Sequence, residues 1–240
     1  MDFNLPVLDN ITPLKKIDDI FYPLHLSVEH DLTKRQISCQ IDFDLGFNIK
    51  KIEEILKVQA LQIAPETHFD QWGPLLHNGA QTWVGLDFQI LQSTYFDLKI
   101  LFDLIKPRPF QKIIDLGAGY GRIGIFLHQF YPLTHFLGIE LVNERVKEAN
   151  RIYQSIHTLN KEMIVGDLSQ LSELPPGDIY FIYDFGSEEH IKKILELLKT
   201  TKNSILVVKG RICRNLMLKD GYFGDGFKVK KLDDLYLYYL

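Results

Sequence analysis

Ile113-Ile114-Asp115-Leu116-Gly117-Ala118-Gly119-Tyr120-Gly121-Arg122-Ile123-Gly124 is the stretch that decides the fold of this chain. Ile113, Ile114 and Leu116 read as the end of a buried strand. Gly117, Gly119 and Gly121 follow as a turn whose backbone can take positive φ and come close to a ligand, with no Cβ in the way. Ile123, Phe126, Leu127 and Phe130 then fall at i, i+3, i+4 and i+7, one face of a helix that Pro132 closes. Strand, glycine turn and helix together leave free N–H groups at a helix start, facing an open crevice.

Working outward, the downstream chain alternates strand and helix. Phe136–Ile139 reads as a short strand closed by Glu140, and Met163–Val165 as another, ending in Gly166-Asp167. Between them Asn143 can cap a helix with Val146, Ala149, Ile152 and Tyr153 on one face. Asp178–Asp184 is almost continuously apolar, as a central strand covered on both faces would be. Ser187 caps a helix with Glu188 and Glu189 in its first turn, and Ile205–Val208 is the next strand. Phe227–Leu232 and Leu235–Leu240 read as two strands joined by Asp233-Asp234, a link so short that the pair must be antiparallel. The expected fold is α/β: a doubly wound, mostly parallel seven-strand sheet with an antiparallel C-terminal pair, after an N-terminal mainly helical extension.

Upstream, Leu91, Tyr95, Leu98, Leu101, Phe102 and Ile105 make the apolar stripe of a helix over Phe88–Ile105, ended by Pro107 and Pro109. The expected division is residues 1–87 as a substrate-side cap and 88–240 as the ligand-binding domain. Pro6, Pro13 and Pro23 punctuate an irregular start. Ile37, Cys39, Ile41 and Phe43 alternate, which favours a strand in Asp31–Phe47 over a helix followed by a loop. Ile49–Ile63 reads as an amphipathic helix. His68 to Trp83 is rich in aromatic and turn residues, either a loop over a substrate pocket or one that simply buries two indoles. His68 and His77 lack a third ligand, so no metal is expected.

The bulk properties set limits. A 46% hydrophobic content is that of a folded chain, and 240 residues suffice for one large α/β domain or a smaller one with an addition. The formal charge of −4 argues against general nucleic-acid binding. No apolar run approaches the roughly 18–20 residues that would span a bilayer. Met1-Asp2-Phe3-Asn4 has no basic segment followed by an apolar one, and the two cysteines, Cys39 and Cys213, show no paired spacing, so a cytoplasmic location is expected.

Two nucleotide-type cofactors use such a glycine turn. Gly119-x-Gly121-x-x-Gly124 matches the dinucleotide fingerprint, but the apolar strand ends at Leu116 and the glycines already begin at Gly117. Asp115 also stands where that fingerprint has an apolar residue. Asp-Leu-Gly-Ala-Gly-Tyr-Gly instead resembles the first motif of the class I, seven-strand S-adenosylmethionine (SAM) methyltransferases. The resemblance covers roughly 88–240. It implies that Gly117, Gly119 and Gly121 lie under the amino-acid half of SAM and that Asp115 orients the loop or the ammonium. Glu140, nineteen residues after Gly121, stands where a carboxylate can accept both ribose hydroxyls, and an ionised Glu has the two acceptor oxygens this needs. The resemblance further implies Asp167 on the adenine amino group, and Thr94 and Tyr95 closing over the cofactor or merely capping and packing.

Asp184-Phe185-Gly186 ends the fourth strand, where the family faces the transferring methyl. Asp184 and Tyr180, on one side of that strand by alternation, are the candidate catalytic residues, with Tyr183 beside them. The two prolines of amide and adenine N-methyltransferases are absent here, which speaks against those acceptors. The fourth motif and the helical N-terminal region also resemble, loosely, bacterial Dot1-like protein lysine methyltransferases. The acceptor is then an unidentified protein or small molecule, with a protein lysine or another nitrogen as the site. A SAM-binding module without catalysis and an NAD(P)-binding oxidoreductase are the alternatives.

Overall fold

A computed structural model describes residues 16–219, 229–232 and 235–240. Pro6, Pro13, Phe227 and the Asp233-Asp234 link lie outside the described residues. The centre is a sheet of β1 (Lys112–Leu116), β2 (His135–Glu140), β3 (Lys161–Val165), β4 (Ile179–Tyr183), β5 (Ile205–Lys209), β6 (Val229–Leu232) and β7 (Leu235–Tyr239). These seven strands run in the order β3-β2-β1-β4-β5-β7-β6. Every pairing from β3 to β5 is parallel, and β7 is antiparallel to both β5 and β6. The expected sheet and its closing pair are both present.

Period-two alternation sorts the strands onto two faces. Ile113, Phe181 and Val207 join one hydrophobic cluster with residues of α5 (Tyr95–Ile105), α6 (Arg122–Phe130) and α7 (Asn143–Ser155). Ile114, Tyr180, Ile182, Leu206 and Val208 join the other, with Ile191 and Leu195 of α8 (Glu188–Leu198) and Cys213 of α9 (Arg211–Lys219). Helices therefore cover both faces, as a parallel sheet requires. Ser187 caps α8 as expected, its Oγ accepting the His190 N–H.

The N-terminal region packs into the first of these clusters. Ile20 and Phe21 of α1 (Ile17–Phe21), Ile41 of α2 (Asp31–Asp44) and Ile52 and Leu56 of α3 (Ile49–Ile63) belong to it. Phe21 meets Tyr95 edge to face at 5.3 Å. Between α3 and α5 the chain also forms the short helix α4 (Trp72–Leu76). Among the described residues no helix is long and apolar enough to cross a membrane.

Three expectations change. Asp31–Phe47 is no strand: Asp31–Asp44 is helical, and its buried face is Ser38, Ile41, Asp42 and then Leu45, at i, i+3, i+4 and i+7. Phe43, one of the alternating residues, is 70% exposed. The helical period is carried by Ser38 and Asp42, polar residues with buried partners, so a count of apolar residues picked the wrong period. Helix α5 starts at Tyr95 and not at Phe88, because Thr94 caps it: its Oγ1 accepts the Asp97 N–H while Asp97 accepts the Thr94 N–H. Val142, not Asn143, is the cap residue of α7; its N–H is held by the Glu140 carboxylate.

Candidate functional site

In an open α/β sheet, ligands bind outside the carboxyl ends of the strands where the winding reverses. With β1 between β2 and β4, that point lies over the end of β1, where a cleft opens. Its floor includes Gly117, Gly119, Glu140, Gly166, Asp167 and Asp184, and residues Ala80–Gln92 form a wall.

The glycine turn is locked from below. Gly117 and Ala118 donate to the Ile139 carbonyl, and Gly119 donates to Glu140 Oε2 at 2.9 Å. Gly117 has φ +86° and a Cβ there would stand 2.5 Å from Phe185 Cβ, so the turn packs tightly on the end of β4. Gly119 has φ +55° and open space where its Cβ would be, so its backbone is bare toward the cleft. Gly121 does not line the cleft; it caps α6, and its carbonyl accepts the Tyr153 hydroxyl.

Glu140 ends β2 with both carboxylate oxygens engaged by backbone: Oε2 by Gly119 N–H, Oε1 by Val142 N–H at 3.0 Å. Each oxygen keeps a further lone-pair direction for a ligand hydroxyl. Arg145 Nη1 lies 3.9 Å from Oε1. That guanidinium also clasps Glu53 of α3 through Nε and Nη2, at 2.9 and 3.2 Å, and donates to the Thr82 carbonyl. Tyr120, inside the glycine turn, donates its hydroxyl to Glu53 Oε1 at 2.8 Å. Burial, then the Glu53 charge, push the Tyr120 hydroxyl well up, so it stays a donor. Glu53, Tyr120 and Arg145 all line the cleft and were not anticipated. Tyr120 lay within the motif itself, whereas nothing in the sequence pairs Glu53 with a residue on α7.

The other expected residues divide. Asp167 lines the cleft and caps a short turn, Oδ1 accepting the Ser169 N–H. Asp115 does not line it; burial and then the like charge of Glu140 raise its carboxyl well above the carboxylate range. It is Glu140, not Asp115, that holds the Gly119 N–H. Thr94 and Tyr95 lie behind the cleft: Thr94 is the α5 cap, and Tyr95 is buried with its hydroxyl on Asp42. Tyr180 falls near the amino end of β4, where its hydroxyl donates to Pro175 and accepts from Gly177, away from the cleft. Asp184 lines the cleft, but its two oxygens accept the Ile212 and Cys213 N–H groups at 3.1 and 2.9 Å. It fastens the start of α9 to the end of β4, and Gly210 lacks the Cβ that would strike it.

The wall is strapped across the strand ends. Trp83, at φ +55°, donates its indole N–H to the Asp184 carbonyl at 2.7 Å. Tyr183 donates its hydroxyl to the Ile90 carbonyl at 2.7 Å. Arg122 donates to the Ser93 carbonyl and is paired, fully buried, with Asp42 of α2.

No family model matches the chain, and no curated protein is similar to it. Solved structures share parts of the fold. The YcgJ protein of Bacillus subtilis is 17% identical at a TM-score of 0.40, over 47% of this chain and 49% of that one. PKMT2 of Rickettsia typhi, in complex with AdoHcy, is 23% identical at 0.38, over 47% of this chain and 24% of that one. A precorrin-6y C5,15-methyltransferase of Geobacter metallireducens is 15% identical at 0.48, over 64% and 90%. This chain thus spans about half of the first and a quarter of the second. At such identities and TM-scores, these likenesses say nothing of what the chain does.

Proposed function

We propose that the cleft binds S-adenosylmethionine and that the chain transfers its methyl group to a nitrogen acceptor, a protein lysine or a small molecule, offered from the side of the Ala80–Gln92 wall. The observation that carries this reading is the pairing of Gly119 and Glu140. A glycine bare toward the cleft is held by a carboxylate that ends the neighbouring strand and still has lone pairs to offer. The residues fit the cofactor: Gly119 leaves room for its amino-acid part, Glu140 accepts from a vicinal diol, and Asp167 stands at the next strand end.

Bound there, SAM supplies a methyl on a sulfonium, whose displacement needs no proton for the leaving group. A lysine acceptor arrives as an ammonium and gives up one proton to solvent before its nitrogen attacks; what remains for the chain is alignment and exclusion of water, which can supply several kcal/mol of the barrier. Trp83, Leu86, Phe88 and Phe185 form the apolar walls that exclude it. Asp184 acts as a positioning residue, since both of its oxygens already hold the backbone of α9.

That engagement also favours a second reading, a SAM-binding module without catalysis. Calorimetry with SAM, S-adenosylhomocysteine (SAH) and NADH tests the cofactor, and methyl-labelled SAM with fractionated cell extract tests transfer. Binding of SAH without NADH, and label in one fraction, are expected. NADH binding without SAH would overturn the cofactor assignment, and tight SAM binding with no labelled fraction would favour the module.

A further inference from the structure

An ammonium acceptor has to lose a proton, and one side chain of the cleft is open to take it. His190, in the first turn of α8, lines the cleft and is half-buried. Its backbone is fixed, the N–H donating to the Ser187 Oγ at 3.3 Å. Its ring lies against Gly186, which also lines the cleft: a Cβ on Gly186 would stand 3.0 Å from His190 Nδ1. Neither ring nitrogen has a hydrogen-bond partner among the described residues, and neither is sealed from solvent.

The other groups of the lining are engaged or misplaced. Glu53 holds Tyr120 and Arg145, and Glu140 holds two backbone N–H groups. Both oxygens of Asp184 hold the start of α9, and the Tyr183 hydroxyl keeps its proton on the Ile90 carbonyl. Asp167 follows β3, on the far side of β2 and β1 from β4. His190 instead comes just after the end of β4, to which Trp83 and Tyr183 strap the wall. The charged groups about it are Glu188 and Glu189 in its own turn, Lys193 one turn on, Asp167 and Asp184 at their strand ends, and Arg211 in the lining. Lys193 is turned to the Ser169 carbonyl and Asp184 to backbone, which leaves the ring free. Histidine is the side chain whose charge changes nearest neutral pH, so it can take a proton and release it within one turnover.

We propose that His190 is the relay through which an ammonium acceptor's proton reaches solvent. This rests on the cleft being a methyl-transfer site. The ammonium N–H bond breaks and its proton passes to the open imidazole nitrogen. The freed lone pair forms the new N–C bond as the C–S pair leaves with sulfur, and the imidazolium returns its proton to water.

Methyl-labelled SAM and the cell-extract fraction that takes the label test it, from about pH 6 to 10. Transfer by the unaltered protein should level off once an imidazole is neutral. His190→Asn should lose about 10²–10⁴-fold near pH 7 and regain rate toward about pH 10, where an amine loses its proton unaided. Free imidazole should restore part of the rate to His190→Ala, which a merely structural histidine would not allow. SAH affinity should stay within about threefold in both variants, since the ring stands at β4 and the diol acceptor at β2. An unchanged rate and pH profile in His190→Asn would overturn the relay and leave methyl transfer standing. So would a loss that neither alkali nor imidazole restores, or label confined to nucleic acid, whose base nitrogens carry no ammonium. If no fraction takes label, methyl transfer itself fails, and proton NMR still decides whether the ring meets an amine. The His190 resonance is the one missing from His190→Asn, and n-butylammonium chloride should lower the pH at which it titrates, because the ammonium donates to neutral imidazole and repels imidazolium. No change with n-butylammonium would overturn the proposal.

Discussion

Glu140 does two things at once, and its variants separate them. Its oxygens hold two backbone N–H groups, one in the glycine turn and one at the start of α7. Hydrogen bonds to a charged partner are worth about 1.5–3 kcal/mol each, so Glu140→Ala, which removes two, should destabilise the free protein by about 3–6 kcal/mol. SAH affinity should fall at least about tenfold as well, since the diol loses its acceptor. Denaturant titration beside calorimetry reads both; an affinity loss without a stability loss would mean that the turn does not depend on this carboxylate. Asp184→Asn is the contrasting case. An amide can accept one of the two α9 N–H groups but not both, so a loss of about 1–2 kcal/mol in stability is expected. SAH affinity should stay within a few fold in calorimetry, because Asp184 bonds to protein backbone. At this scale the sequence was legible in position for three of the four strand-end acids: Glu140, Asp167 and Asp184 reach the cleft, whereas Asp115 is buried beside it. It was illegible where backbone elsewhere claims the side chain, as Pro175 and Gly177 claim Tyr180.

Among the elements, α2 shows why pattern reading failed. Its inward face carries Asp42, which accepts from Tyr95 and pairs with Arg122 of the glycine-turn helix, all of them buried. Only the folded arrangement gives Asp42 a partner eighty residues away, so no local count of apolar residues could place it inside. The sheet strands were legible for the opposite reason: their runs are apolar on both faces and bounded by turn residues. The pair yields a sharp expectation. Asp42→Ala leaves the Arg122 charge buried and unpaired, a loss of about 3–5 kcal/mol, whereas Asp42→Leu with Arg122→Met should recover most of it. Denaturant midpoints of the two single variants and the double variant would show this; equal losses in single and double variants would mean that the pair is not coupled.

For the whole molecule, the N-terminal helices and the sheet share one hydrophobic cluster and two buried ion pairs, Asp42–Arg122 and Glu53–Arg145. A chain beginning at residue 88 would keep both arginines and lose both carboxylates. It is expected to show no cooperative unfolding transition by circular dichroism; a sharp transition would show that the sheet domain stands alone. Acid should also loosen the molecule. Burial, then the Arg145 charge, lower the pKa of His77, and burial followed by Lys161 lowers that of His128. Each histidine is therefore neutral in the folded state where the unfolded chain would already be protonated. Their contribution is fully present above about pH 6.5 and is lost as the pH falls through the lowered values. Melting temperatures between about pH 5 and 8 should fall on the acid side, less steeply in His77→Asn. The two tryptophans, finally, sit in different surroundings: Trp83 lines the cleft with its indole on the end of β4, whereas Trp72 is buried outside the cleft with its indole on Thr67. The protein thus carries its own optical gauge. Ligand entry should alter the emission of one indole against the steady signal of the other, so occupancy of the cleft can be followed in real time with no label attached.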